Sequence, residues 1–167
     1  MRVCLRIGRS LLGVRGFTVS IDASACAAAI RVCACFNLRR ASRAVTRLFD
    51  EILLRGGLRS TQFVALVAIQ AAGAPSLPRL ARDLGLDRST LTRNLSPLVK
   101  AGFVIVGTEP PSQTATARLT PAGVAALERC VPLWQEAQGR FEGKVGTDTW
   151  QSLLAGLDRV AVNAPGA

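Results

Sequence analysis

The sequence predicts a mainly α-helical fold carrying one small β-hairpin. Nearly half of the residues are hydrophobic but only 5% are aromatic, so a core has to be built from Leu, Val and Ala. Such a core favours helices over a β-sandwich. Apolar residues recur at spacings of three and four in several long segments, the mark of helices with one buried face. A single place reads as paired extended chain, "FVIVG" and "ARLTP" around the turn-rich "TEPPSQTAT". The 167 residues suffice for one domain with an added dimerisation element.

The elements follow in order. From Ser24 to about Leu54 there is neither proline nor glycine, and Leu38, Ala41, Val45, Leu48 and Ile52 form one apolar stripe. This predicts one long helix, ended by "RGG" at 55–57. Ser60 reads as the cap of a second helix, with Phe63, Leu66, Val67 and Gln70 on one face. Ser76 caps a short helix with a proline in its first turn, broken by Gly85. Asp87 caps the next, "RSTLTRNLSPLVKAG", where Leu91, Leu95, Leu98 and Val99 keep the stripe despite Pro97. After the hairpin, Thr120 caps a helix that Pro132 interrupts, and Thr147 caps a last one. Three helices followed by a hairpin make a winged helix-turn-helix, and the first and last helices carry apolar faces that a second copy would bury. The expected organisation is a disordered basic arm over 1–22, an N-terminal dimerisation helix over 23–57, a winged helix-turn-helix over 58–120, C-terminal dimerisation helices over 121–163 and a tail over 164–167.

Charge points to the partner. The formal net charge is +10, and the excess lies in the first hundred residues. Residues 31–60 carry seven arginines against Asp50 and Glu51. Such a balance suits a polyanion, most simply nucleic acid, although a solvated arginine-rich surface gives the same count. Histidine and tyrosine are both absent. Without histidine there is no Ser-His or Cys-His dyad and no usual metal ligand, so neither an enzyme nor a metal or cofactor site is expected. No apolar run reaches the ~20 residues of a membrane span. Arginines break the apolar stretches of residues 1–20, which argues against a secretory signal. That stretch reads as a basic arm, or as the product of a start codon set too far upstream. The five cysteines are odd in number and unevenly spaced, which fits a reducing cytoplasm rather than a disulfide framework.

"GLRSTQFVALVAI", "LARDLGLDRSTLTRNLSPLVKAGFV" and "RLTPAGVAAL", in this order and with these gaps, resemble the MarR family of winged-helix transcriptional regulators. The resemblance runs from about Cys33 to the last helix. It implies a homodimeric DNA-binding regulator, expected to be a repressor on a pseudo-palindromic operator and to be released by a small aromatic or anionic ligand or by an oxidant. A winged-helix module that binds protein instead of DNA is the alternative. The recognition helix presents Arg88, Ser89, Thr90, Thr92, Arg93 and Asn94. Arginine pairs with guanine, asparagine with adenine, and hydroxyls with phosphate or base edges. The family's wing carries an Asp-x-Arg-type motif. Here the loop has Glu109 and no basic residue before Arg118, which makes Arg118 the wing's candidate contact.

Cys33 and Cys35 sit directly before the arginine run. On one continuous helix, residues two apart diverge by about 200°. The two thiols then face opposite sides and can neither pair nor share an ion. Cys35 falls in line with Leu38, Ser42, Val45 and Phe49, and Cys33 with Asn37, Arg40 and Ala44. "CFNLRRASRAVT" resembles the first helix of the family's organic-hydroperoxide sensors, whose reactive cysteine aligns with Cys35. Tyrosines support that thiolate there, and this chain has none. Cys35 is thus either a redox sensor or a packing residue of a dimerisation helix.

Overall fold

A computed structural model describes residues 22–108 and 114–163. The expected arm, except for Asp22, lies outside these, as do Glu109 in the wing loop and the tail. The chain divides into two compact units, one ending at Arg39 and one beginning at Arg40.

The first unit holds α1 (Ala23–Val32) and the start of α2 (Ala34–Leu53). One unbroken helix was expected here, and the structure breaks it at Cys33, whose φ of −69° and ψ of 111° are extended. Asn37 supplies the reason. Its side-chain amide donates to the carbonyls of Ile30 (3.3 Å), Arg31 (3.1 Å) and Cys33 (2.9 Å). A short polar side chain thereby meets carbonyls that a continuing helix would otherwise have to satisfy. Asp22 caps α1 by accepting the N–H of Ser24 at 3.2 Å. In the single chain α1 buries no residue.

The second unit contains the core. After α2 a 3-10 turn (Leu54–Gly56) leads to α3 (Ser60–Ala72), α4 (Leu77–Asp83), α5 (Arg88–Lys100), strands β1 (Val104–Gly107) and β2 (Thr116–Leu119), α6 (Pro121–Val145) and α7 (Thr147–Asn163). Leu53, Leu58, Phe63, Leu66, Ile69, Leu80, Leu91, Leu95, Leu98 and Val104 pack as one buried cluster. Of the stripe expected on α2, Ile52 is buried, Val45 and Leu48 are half-buried, and Leu38 and Ala41 are exposed. On α3 the buried face is Phe63, Ala65, Leu66 and Ile69, whereas Val67 and Gln70 are exposed. Ser60 is the first helical residue of α3 rather than its cap. Its N–H and Oγ both donate to Asp50 Oδ1, at 2.7 and 2.6 Å, so a carboxylate of α2 takes over the capping.

The hairpin is antiparallel, pairing Val104 with Leu119, Ile105 with Arg118, Val106 with Ala117 and Gly107 with Thr116. Its other edge is tied to the start of α4: Ala117 N–H donates to Pro75 O (3.0 Å) and Leu77 N–H to Ala115 O (2.9 Å). Gly102, at φ 73°, makes the left-handed turn from α5 into β1. Thr120 caps α6 by accepting the N–H of Gly123 (3.0 Å), and its hydroxyl donates to Gly102 O (2.6 Å).

An interruption of α6 at Pro132 was expected, and the helix instead runs through it for 25 residues. Pro132 is exposed, so its ring meets solvent, and α6 is anchored on both sides of it. Before it, Cys130 is fully buried against Gly56, where any Cβ would collide with the Cys130 side chain and stand 2.9 Å from Leu133 Cδ1. After it, the Trp134 and Phe63 rings stack with centroids 6.3 Å apart, and Ala137 and Phe141 are buried. Thr147 opens α7 as its first residue instead of preceding it, with the N–H of Trp150 bonded to Gly146 O at 3.0 Å. No residue of α7 is buried in the single chain. Among the described residues no single helix is long and apolar enough to cross a membrane.

Candidate functional site

The geometry of α5 starts from its cap. Asp87 Oδ1 accepts the N–H of Thr90 (2.8 Å) and the hydroxyl of Ser89 (2.6 Å), and Oδ2 accepts the hydroxyl of Thr90 (2.7 Å). Arg93 Nη2 in turn donates to Thr90 Oγ1 at 3.0 Å. The carboxyl is held well below the usual carboxylate range by the Ser89 and Thr90 hydroxyls and the Thr90 N–H, all of which stabilise its charged form. Thr92 donates to Arg88 O at 2.9 Å. Leu91, Leu95 and Leu98 anchor the opposite face in the core.

Arg88, Ser89, Thr92 and Arg93 are therefore exposed together on the first half of α5, and Thr90 is half-buried within the cap network. Arg118 is exposed on β2, across from Ile105. Asn94 goes elsewhere. It lines a cleft of about 350 Å³ with residues of α2, α3, the α4–α5 turn and α6. Phe49, Phe63, Leu86 and Trp134 make much of its wall, Thr46, Ser60 and Thr61 add hydroxyls, and among the described residues no charged side chain lines it. These residues come from four separate stretches of the chain, so no local pattern in the sequence signals the cleft.

Cys26, Cys33 and Cys35 are exposed in the single chain. The opposition of Cys33 and Cys35 assumed an unbroken helix, and the break at Cys33 removes that argument. Cys33 instead occupies the residue before α2, where its Sγ accepts the N–H of Phe36 at 3.5 Å. Cys130 is buried, and that burial pushes its thiol up, against the opposing pull of Arg129.

The model of the MarR family matches residues 58–110, from just before α3 through α5 into the hairpin. An HTH-type transcriptional regulator of Bacillus cereus is 29% identical over 118 residues, spanning 71% of this chain and 79% of its own. The crystal structure of the M. tuberculosis transcriptional regulator MosR in complex with DNA superposes with a TM-score of 0.71 at 33% identity, covering 79% of this chain and 96% of that one. A mutant of MarR from E. coli, complexed with operator DNA, superposes with a TM-score of 0.71 at 25% identity over 79% of this chain and 96% of its own. These relatives are transcriptional regulators, not enzymes. With its winged helix-turn-helix built on the same frame, the chain belongs to the MarR family of transcriptional regulators.

Proposed function

We propose that this regulator acts in the cytoplasm as a homodimeric repressor on a pseudo-palindromic DNA operator, with half-sites about one helical turn apart. The observation that carries the reading is the exposed half of α5. Arg88, Ser89, Thr92 and Arg93 stand together on a helix whose other face is locked into the core. Arg88 and Arg93 suit guanine edges or phosphate, and the Ser89 and Thr92 hydroxyls reach phosphate once they turn away from Asp87 and the Arg88 carbonyl. Thr90 holds Arg93 in place, and Arg118 meets the DNA backbone from β2. Two of the superposed regulators were solved with DNA, which supports the same use here. Ile30 and Val32 on α1, Phe36 and Leu38 on α2, and Leu153, Leu154 and Val160 on α7 are large apolar side chains left exposed in one copy. A second copy covers such faces.

Release of DNA is assigned to a small molecule in the cleft, or to oxidation at Cys35. Gel shifts on the DNA upstream of the chain's own gene test the reading. Arg93→Ala is expected to weaken the sequence-specific shift about tenfold or more, with helical content retained. A folded protein that shifts no genomic fragment specifically would overturn the proposal in favour of a protein-binding winged helix. Release by peroxide that persists in Cys35→Ser would remove Cys35 as the sensor.

A further inference from the structure

Resting on the reading of the cleft as an effector site, we infer that it selects an uncharged, flat aromatic molecule, and that Asn94 is the side chain that selects it. The resemblance alone allowed an anionic ligand, and the cleft opposes one. Among the described residues, none of its lining side chains carries a positive charge to offset a buried carboxylate. A negative charge lies behind its wall instead, since Ser60 donates its hydroxyl to Asp50 at 2.6 Å. Among the described residues the cation beside that carboxylate, Arg59 at 3.6 Å, is already paired with it.

The same hydrogen bond fixes what the wall offers. With its proton committed to Asp50, Ser60 has only acceptor capacity left for the cleft. Asn94 contributes a donor and an acceptor side by side, the complement of a carboxamide. The near-parallel Phe63 and Trp134 rings, inclined by 17°, provide a flat apolar surface. Trp134 is the outer of the two, 38% exposed against 5% for Phe63, so its indole is the ring left for a ligand to stack on. A volume of about 350 Å³ suits a ligand of one or two fused rings. Asn94 lies next to Arg93 on α5, so a ligand held there acts on the helix that carries the proposed DNA contacts.

The test uses the full chain with Trp150→Phe, which leaves Trp134 as its one tryptophan. Benzamide and benzoate, matched in shape and differing in charge, are titrated at neutral pH while the Trp134 fluorescence is followed. Benzamide is expected to bind about tenfold or more tightly than benzoate. Asn94→Leu should bring benzamide to the level of benzoate, and Thr61→Arg should raise benzoate above benzamide. The preference is measured in the unsubstituted cleft first, so it stands even if either cleft variant fails to fold. Benzoate binding as tightly as benzamide overturns the ligand class and leaves the cleft reading in place. No response of Trp134 to either compound overturns both, without touching the DNA-binding proposal.

Discussion

Gly123 lies in the first turn of α6, directly over the backbone that joins α5 to the hairpin. A Cβ added there would stand 3.0 Å from the carbonyl carbon of Phe103 and 3.2 Å from its Cα, and closer still to its oxygen. Carbon atoms prefer about 3.5–4.0 Å, so Gly123→Ala forces α6 and the base of β1 apart. The atoms in the way are backbone and cannot rotate aside. Forced overpacking costs about 1–3 kcal/mol. The displaced Phe103 carbonyl also accepts the N–H of Thr120 at 3.0 Å, and losing that bond adds about 0.5–1.5 kcal/mol. The better helix propensity of alanine returns at most about 1 kcal/mol. The net expectation is a loss of about 2–3 kcal/mol, read as a fall in melting temperature of about 5–10 °C for a chain of this size. Thermal and urea unfolding followed by circular dichroism measure it. Gly139→Ala is the control in the same helix, because its Cβ would meet nothing within 4 Å and the substitution should stabilise slightly. If Gly123→Ala melts at or above the parent temperature, α6 does not approach the hairpin as described.

Two further predictions concern titrating groups. The Asp87 carboxyl is held below its usual range by hydrogen bonds made to its charged form, so its capping is fully present above the ordinary aspartate pKa. It is lost only as pH falls below that range toward the lowered value. The protection of the Thr90 amide, its exchange measured against the intrinsic rate at the same pH, should stay high through mild acid and fall in stronger acid, and in Asp87→Ala it should be low throughout. Protection of Thr90 that survives Asp87→Ala would show the cap network to be dispensable. Burial raises the Cys130 thiol, so its neutral form is favoured in the folded state. Its contribution to stability is present below the ordinary thiol pKa and declines as pH rises above it. Peptide-level alkylation should therefore leave Cys130 unmodified in native protein at neutral pH and modify it once denaturant is added. Rapid native labelling of Cys130 would contradict the close packing of α6 on Gly56.

The parts of this fold that could be read from the chain are those set by local chemistry. Ser76, Asp87 and Thr120 each cap the helix that follows because a short acceptor stands before a helical run, and the structure keeps all three. The parts that could not be read depend on residues brought from a distance or on competition at one position. Nothing in the helical pattern of residues 24–54 announces a break, since it arises when the Asn37 amide reaches back to carbonyls up to seven residues earlier. Pro132 stays helical because Cys130 and Trp134 anchor α6 on either side of it.

Asn94 shows how a polar side chain can hide a position on the core side of a helix. Its polarity placed it with Arg93 on the solvent face. At about 100° per residue it sits about 60° from Leu91 and about 40° from Leu98, both of which are buried. The periodicity thus put Asn94 at the edge of the core side, and its polar side chain masked the signal. A polar residue on the apolar side of an amphipathic helix needs a partner there. For Asn94 that side opens onto the cleft, which it lines with Phe49, Phe63 and Trp134.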